Sequence, residues 1–482
     1  MVNTNNFDID KFLKFEEDNN QFDKQYNGIY YWQYIRYYVF TDLFRLKNKG
    51  EYPHTQFSDF KKLKRFKIFL KGLIWSIIKN PFLFRGKVDL LVFNQQRRIR
   101  KGEKYFDPQF DIWLHNQKEF KYLIMEGTYY GNHFPAYNPN NMRFLDFFIE
   151  IRKVLRALIK KNLSGLVKEI NEIINSEFQL EINPRQLEFQ LKTLYIEYKY
   201  LKPLYKRLLK KFYPKAILIN CYYNISKMIF IEIARELSIK TIEFQHGTMG
   251  EYHLAYNFPE NIKIDTFPQF VFVWGQFWKD TTRFPVAKDR VMVTGYPYYE
   301  KRVKEEKEKA KEMEKIKPVI LFISQGTIGK KLSKLAVKLA NKVSKEYDII
   351  YKLHPGEYYQ WEKNYSWLID ADIEVIDTNE LDIYQIFAKA DIQIGVYSTA
   401  LFEGLGFGLK TIIMKYPNYT MMGNLLENSL VVLCRDLDEV LKELSNKEQS
   451  IIKADYFIRS SKSEQLINDS LNSVINGNTR IG

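Results

Sequence analysis

An α/β protein built on two parallel sheets is the fold class this sequence predicts. Three observations carry that prediction. From Ala216 onward short apolar runs alternate with amphipathic helical stretches, the pattern of parallel strands joined by helical crossovers. The chain has 482 residues, too many for one compact core. A highly charged helical stretch, Tyr299 to Lys317, separates two groups of strands.

The elements follow in order. Residues 1–84 read as a helical N-terminal region, in which "IYYWQYIRYYVFTDLF" (Ile29 to Phe44) is aromatic enough, and poor enough in charge, to be a buried helix. "DLLVFN" (Asp89 to Asn94) is the first strand and runs into a basic loop, "QQRRIRKGEKYFD". "YLIMEG" (Tyr122 to Gly127) is the second strand. Residues 142–213 are basic and helical, a solvated insertion broken at "INPRQ". "AILIN", "KTIEFQ", "QFVFVWG" and "VMVTGYP" complete a domain over 85–298. "PVILFISQG", "DIIYKLHPG", "IEVI", "DIQIGV" and "KTIIMKYP" supply the sheet of a second domain over 299–482.

Composition narrows the partners. Lys and Arg outnumber Asp and Glu by 73 to 58, a net charge of +15 that favours anionic ligands. No nucleic-acid-binding module is recognisable, so nucleic acid is not expected. Two cysteines without metal or disulfide spacing suit a reducing cytoplasm. The polar, acidic start is not a signal peptide, and no apolar run spans a bilayer. Residues 65–87, "RFKIFLKGLIWSIIKNPFLFRGK", form an apolar run flanked and broken by lysines. Two readings of it stand open: peripheral contact with an anionic membrane, or a helix packed on its own domain with lysines reaching outward.

Ligands of open α/β sheets bind beyond the carboxyl ends of the strands. Small and polar residues gather at four such ends: Gln325, Gly326 and Thr327; Lys352 and His354; Tyr397, Ser398 and Thr399 with Glu403 one turn on; and Gln245, His246 and Gly247. A Ser-Thr pair opening a helix offers backbone N–H and hydroxyl donors to a phosphate. Glu403 can take both hydroxyls of a ribose, and Lys352 and His354 can donate to phosphate oxygens. "GTIGKK" lacks the spacing of an ATP-binding phosphate loop. The Asp370–Asp372 pair reads as a loop entering a strand, and Asp436 as a helix cap, so no metal site is expected.

Residues from about Ala216 to Met422 resemble a GT-B glycosyltransferase. "KLHPGEY" resembles the His-Pro motif of bacterial sialyltransferases, Kdo transferases and glycerophosphate-type polymerases, and "DIQIGVYSTALFEGLGFGLKTII" the Ser/Thr-then-Glu donor motif shared with non-hydrolysing UDP-sugar epimerases. The helix after Ser398 carries one Glu where those epimerases have two acids. The resemblance implies two Rossmann-like domains facing a cleft, with His354, Ser398, Thr399 and Glu403 at the donor site.

The expected function is transfer of a sugar from a UDP- or CMP-linked donor to a glycan or lipid-linked acceptor in surface-polysaccharide synthesis. It needs no cofactor and no metal. The acceptor is expected on the first domain, at the basic loop Arg97 to Lys104 that includes Arg98, and Gln245 and Gly247 are further candidate substrate-binding residues beside His246. His246 is able to take the acceptor's proton, to donate to the donor phosphate, or to bond the backbone. Asp107 and Glu251 are the next candidate bases. The alternatives are a UDP-sugar 2-epimerase or CDP-glycerol-type phosphotransferase on the same fold, and a non-catalytic protein that binds anionic glycan or membrane.

Overall fold

Apolar runs of four or five residues become the central strands, and shorter mixed segments become the edges. The computed structural model describes residues 9–47, 62–95, 98–129, 131–260, 262–312, 316–378, 380–427, 430–446 and 454–477. In chain order the strands are β1 (Leu90–Phe93), β2 (Ile99–Lys101), β3 (Lys104–Phe106), β4 (Tyr122–Glu126), β5 (Met142–Phe144), β6 (Ala216–Ile219), β7 (Lys240–Phe244), β8 (Phe270–Val273) and β9 (Val291–Val293). Then come β10 (Val319–Ile323), β11 (Asp348–Lys352), β12 (Glu374–Ile376), β13 (Ile392–Gly395), β14 (Lys410–Met414) and β15 (Val432–Cys434). The central strands β1, β6 and β10 are buried at every residue, as parallel strands covered on both faces must be.

The chain divides into two compact units. The first is Met1–Phe272 with Thr282–Met292 and Asn468–Gly482; the second is Val273–Thr281 with Val293–Ile467. The first unit's sheet runs β5-β4-β1-β6-β7-β8-β9, and its pairings from β5 to β8 are parallel. The second unit's runs β12-β11-β10-β13-β14-β15, with every pairing parallel. Both sheets therefore share one winding. The first three strands stack to one side, the chain returns to the middle, and later strands extend the other way. That is the order of dinucleotide-binding sheets, and the reversal opens a crevice beyond the carboxyl ends of the two central strands. In the first unit those are β1 and β6, in the second β10 and β13.

The sequence reading differs from the structure in detail. The basic loop after β1 contains a hairpin: β2 pairs antiparallel with β3, and Gly102 turns the chain with φ +62°. The helical stretch after residue 142 begins with an edge strand, Met142 pairing with Ile124. The charged helix runs Pro297–Ala310.

The N-terminal helices Ile9–Asp18 and Tyr31–Lys47 belong to the first unit and brace the loop that follows β7. Arg36 is buried and binds the buried Glu16 through two bonds of 2.7 Å. It also donates to the carbonyls of Leu254 at 2.8 Å and Asn257 at 3.0 Å, and stacks over Phe258. Phe12, Phe15, Trp32, Phe40 and Phe178 close the apolar side of this region.

Candidate active site

In the second unit the crevice lies between the ends of β10 and β13. Past Ile323 the chain turns through Ser324, Gln325, Gly326 and Thr327 into the 15-residue helix Gly329–Val343. Its N-cap residue, Ile328, makes no side-chain capping bond, and a helix start of this kind suits an anion. Past Gly395 the chain passes Val396 and Tyr397 to the cap residue Ser398, whose hydroxyl accepts from the Ala400 N–H at 3.2 Å. The Thr327 and Tyr397 hydroxyls are hydrogen-bonded to each other, so the two sides of the crevice meet there.

β11 delivers the third side. Lys352, its last residue, is buried; its ammonium donates to the Leu353 carbonyl at 3.0 Å and to the Tyr358 hydroxyl, and lies over the Tyr358 ring. Burial pushes its pKa down to about 8, against the pull of Asp377 and Glu357. His354, Pro355 and Gly356 are exposed. The Gly356 N–H donates to His354 Nδ1 at 3.1 Å, which places the neutral ring's proton on Nε2. His354 thus presents a hydrogen-bond donor suited to a phosphate oxygen.

Glu357 ties these segments together. One oxygen accepts from Ser324 at 3.1 Å and from Tyr365 at 2.6 Å; the other accepts from the His354 backbone N–H at 2.8 Å. A Cβ on Gly329 would come within 2.2 Å of that carboxylate and 2.3 Å of the Tyr365 hydroxyl. Glycine at 329 is therefore required by packing against Glu357.

Glu403 sits half-buried on helix Thr399–Phe407 and accepts from the Tyr384 hydroxyl at 3.2 Å. Burial pushes its pKa up to about 8, with the Tyr384 bond opposing and Asp382 adding. Tyr299 donates to its backbone carbonyl at 2.9 Å, and Tyr298 and Arg302 hold Asp382 at 3.1 and 3.3 Å. Asp370 and Asp372 lie exposed ahead of β12, and Asp436 caps helix Leu437–Ser445 through the Glu439 N–H.

In the first unit β7 ends at Phe244 and is followed by Gln245, His246 and Gly247. Gln245 is buried and donates to the Gly247 carbonyl at 2.8 Å, which fixes the loop. His246 stands over Glu243, a fully buried carboxylate on the strand itself; Nδ1 and Oε1 are 3.9 Å apart. Tyr256 donates to Glu243 at 2.7 Å, so toward His246 Nδ1, 3.4 Å away, its oxygen acts as acceptor. That arrangement puts the ring proton on Nδ1 and leaves Nε2 basic, facing the Tyr223 hydroxyl at 3.4 Å. Burial lowers the His246 pKa, with Glu243 opposing, so the imidazole is neutral near pH 7. Burial also pushes Glu243 up to about 7. His253, stacked on Tyr37 at 5.3 Å, closes the back of this group.

The remaining candidates of this unit stand apart. Arg98 is buried in an ion pair with Glu126, which also binds His133 Nδ1 at 2.5 Å. Arg97 lies outside the described residues. Asp107 is fully buried, and its oxygens accept from the backbone of Gln95 at 2.8 Å and Gln109 at 2.9 Å, a turn-fixing role. Glu251 is half-buried. Sequence reasoning missed Glu243, Tyr256 and Glu357. The one signal for Glu243 was an acid set between Ile242 and Phe244 near the end of a strand.

No family model matches this sequence, and no curated protein matches it. Solved structures do. A UDP-N-acetylglucosamine 2-epimerase is similar at TM-score 0.45 and 12% identity, over 83% of this chain and 98% of that one. The wall teichoic acid polymerase TagF is similar at 0.44 and 13%, over 87% and 100%. The UDP-GlcNAc 2-epimerase from Neisseria meningitidis, bound to UDP-GlcNAc, is similar at 0.44 and 12%, over 79% and 98%.

Proposed function

We propose that this chain is a glycosyltransferase of the GT-B type, moving a sugar from a nucleotide-sugar to a glycan or lipid-linked acceptor. The observation that carries the reading is the crevice between β10 and β13. An uncapped helix N-terminus, the Ser398 and Thr399 helix start, His354 Nε2–H and the Lys352 ammonium gather at the carboxyl ends of neighbouring strands, the place where such sheets hold nucleotides.

Each unit offers its own groups. In the second, the diphosphate or phosphate of the donor takes the two helix N-termini, with Thr327, Tyr397 and Ser398 hydroxyls about it, and the ribose takes Glu403. In the first, His246 Nε2 is a base able to take the proton of an acceptor hydroxyl. In the transfer, the acceptor oxygen attacks the anomeric carbon. The bond from that carbon to the phosphate oxygen breaks, and the nucleotide leaves with the electron pair. Lys352 and His354 stabilise the charge that grows on it, an interaction strongest in the transition state. Glu243 and Tyr256 hold the imidazole in the basic tautomer.

Incubation with UDP-, CMP-, CDP- and GDP-linked donors, followed by mass analysis, tests the reading. Free nucleotide together with a sugar adduct on an added glycan or lipid-linked glycan is expected. A donor returned at unchanged mass but altered stereochemistry, or a glycerophosphate adduct, would replace it with a different reaction.

A further inference from the structure

Helix Lys62–Ile78 is built the wrong way round for a helix that serves only its own core. Toward the protein it turns small residues: a Cβ on Gly72 would come within 2.3 Å of the Glu150 carboxylate, and Ser76 is buried. Trp75 packs on the same side, edge-on to His133 and Phe144. Leu70, Leu73, Ile74, Ile77 and Ile78 fall instead on one outward stripe at helical spacing, with Ile77 69% and Ile78 61% exposed. Just past the helix Leu83 is 62% exposed, and the adjoining helix Asp146–Leu158 exposes Val154 and Leu158. Isolated exposed leucines are ordinary, but a continuous stripe of this kind marks a surface that meets something apolar.

The charge beside the stripe says what. Lys67 and Lys71 stand in the helix, Lys79, Arg85 and Lys87 follow it in sequence with Lys87 paired to Asp89 at 3.4 Å, and no acid occurs from residue 62 to 87. Lys67 and Lys71 are exposed at the edge of the apolar face. An apolar protein partner would need acids to match these cations, and a bilayer of anionic lipid supplies both an acyl boundary and negative headgroups. Among the described residues no helix is long and apolar enough to cross a membrane, so the contact is one of lying on the surface.

We propose that this helix, with Leu83 and the exposed end of helix Asp146–Leu158, is a docking surface for an anionic phospholipid bilayer. The surface does not depend on the transferase reading. It does fit a lipid-linked acceptor, because Ile68 abuts Gly131 in the loop just beyond the carboxyl end of β4, in the unit that carries His246.

The test is flotation of the full chain with vesicles of equal parts phosphatidylglycerol and phosphatidylcholine, against vesicles of phosphatidylcholine alone. Binding to the anionic vesicles is expected, weakened as salt is raised from about 0.05 M to 0.5 M and screens surface charge. The double variant Ile74→Asp, Ile77→Asp alters only exposed positions and is expected to lower partition at least about tenfold, an estimate from the cost of charge and lost apolar contact at the interface. The variant Lys67→Glu, Lys71→Glu is expected to lose binding to the anionic vesicles while keeping its melting temperature. No flotation at low salt, or flotation unchanged in both variants, overturns the proposal. So does a concentration-dependent dimer that the double Asp variant abolishes in the absence of any vesicle binding.

Discussion

Glu403 offers a quantitative test, because its titration and its proposed role make opposite demands. Burial raises its pKa to about 8, so at pH 7 only about a tenth of the free protein carries the carboxylate. Two ribose hydroxyls need that carboxylate as acceptor. Binding must then expel a proton, and affinity must rise with pH until the group is ionised without help. From pH 7 to 9 the ionised fraction grows from about 0.1 to about 0.9, a gain of about tenfold in affinity, or about 1.4 kcal/mol. Lys352 works in the other direction, since it loses charge as pH rises through about 8. The clean quantity is therefore the ratio of wild-type affinity to that of Glu403→Gln, in which the Lys352 contribution cancels. Calorimetric titration of a bound nucleotide-sugar at pH 6, 7, 8 and 9 is the assay (pH values chosen to bracket about 8). The ratio is expected near unity at the lowest pH and about tenfold larger at pH 9 than at pH 7, with about one proton released per nucleotide at pH 7. In the ligand-free protein the sign reverses. The raised pKa favours the folded state below the ordinary carboxyl range, and that contribution is lost as pH rises through about 8. A ratio that stays constant across the range would refute a ribose contact by this carboxylate.

Other perturbations bear on separate parts of the structure. His246→Gln keeps hydrogen bonding but cannot accept the proton, so transfer should fall by about 10²–10⁴ while nucleotide affinity, assigned to the other unit, stays put. Glu243→Gln should leave a folded protein whose pH–rate profile loses its acid limb at a different pH, because the charge beside Nδ1 is gone. His354→Ala should lower kcat more than it raises the donor KM, read from initial rates, since its Nε2–H meets charge that develops late. Glu16→Ala strands the buried Arg36 guanidinium and should cost about 3–5 kcal/mol in urea unfolding of the first unit. Gly329→Ala forces Glu357 and Tyr365 apart and should cost about 1–3 kcal/mol, together with weaker nucleotide binding by calorimetry.

Strands were legible wherever a short apolar run stood between turn residues, as in "AILIN" and "PVILFISQG", because burial on both faces demands unbroken hydrophobicity. Their order in the sheets was not, since a parallel strand's composition carries no record of its neighbour. The residues at the carboxyl ends of β10, β11 and β13 were legible as a group, because small and polar residues gather where three apolar strands end. Their supports were not. Glu357 looked like a surface acid three residues past His354, and only the fold brings Ser324 and Tyr365 to it. Tyr384 and Tyr299 reach Glu403 from 19 and 104 residues away. Arg98 misled in the opposite sense. In a basic run it read as ligand-binding, and its partner Glu126 is supplied by a strand 28 residues on. Helix Lys62–Ile78 was ambiguous because apolar residues occur all round it. Gly72 and Ser76 decide which side faces the protein, through the close approach they allow.

The proposed function rests on a nucleotide held in the crevice between β10 and β13. Amide hydrogen exchange with and without nucleotide tests it most directly, because it reports both binding and place. Slowed exchange is expected, on adding UDP, CMP or one of their sugars, in the segments 325–331, 353–357 and 397–403, which lie at the strand ends and open the two helices. Unchanged exchange in all three segments at saturating concentrations of every nucleotide tried, or protection confined to segments elsewhere in the chain, would contradict it.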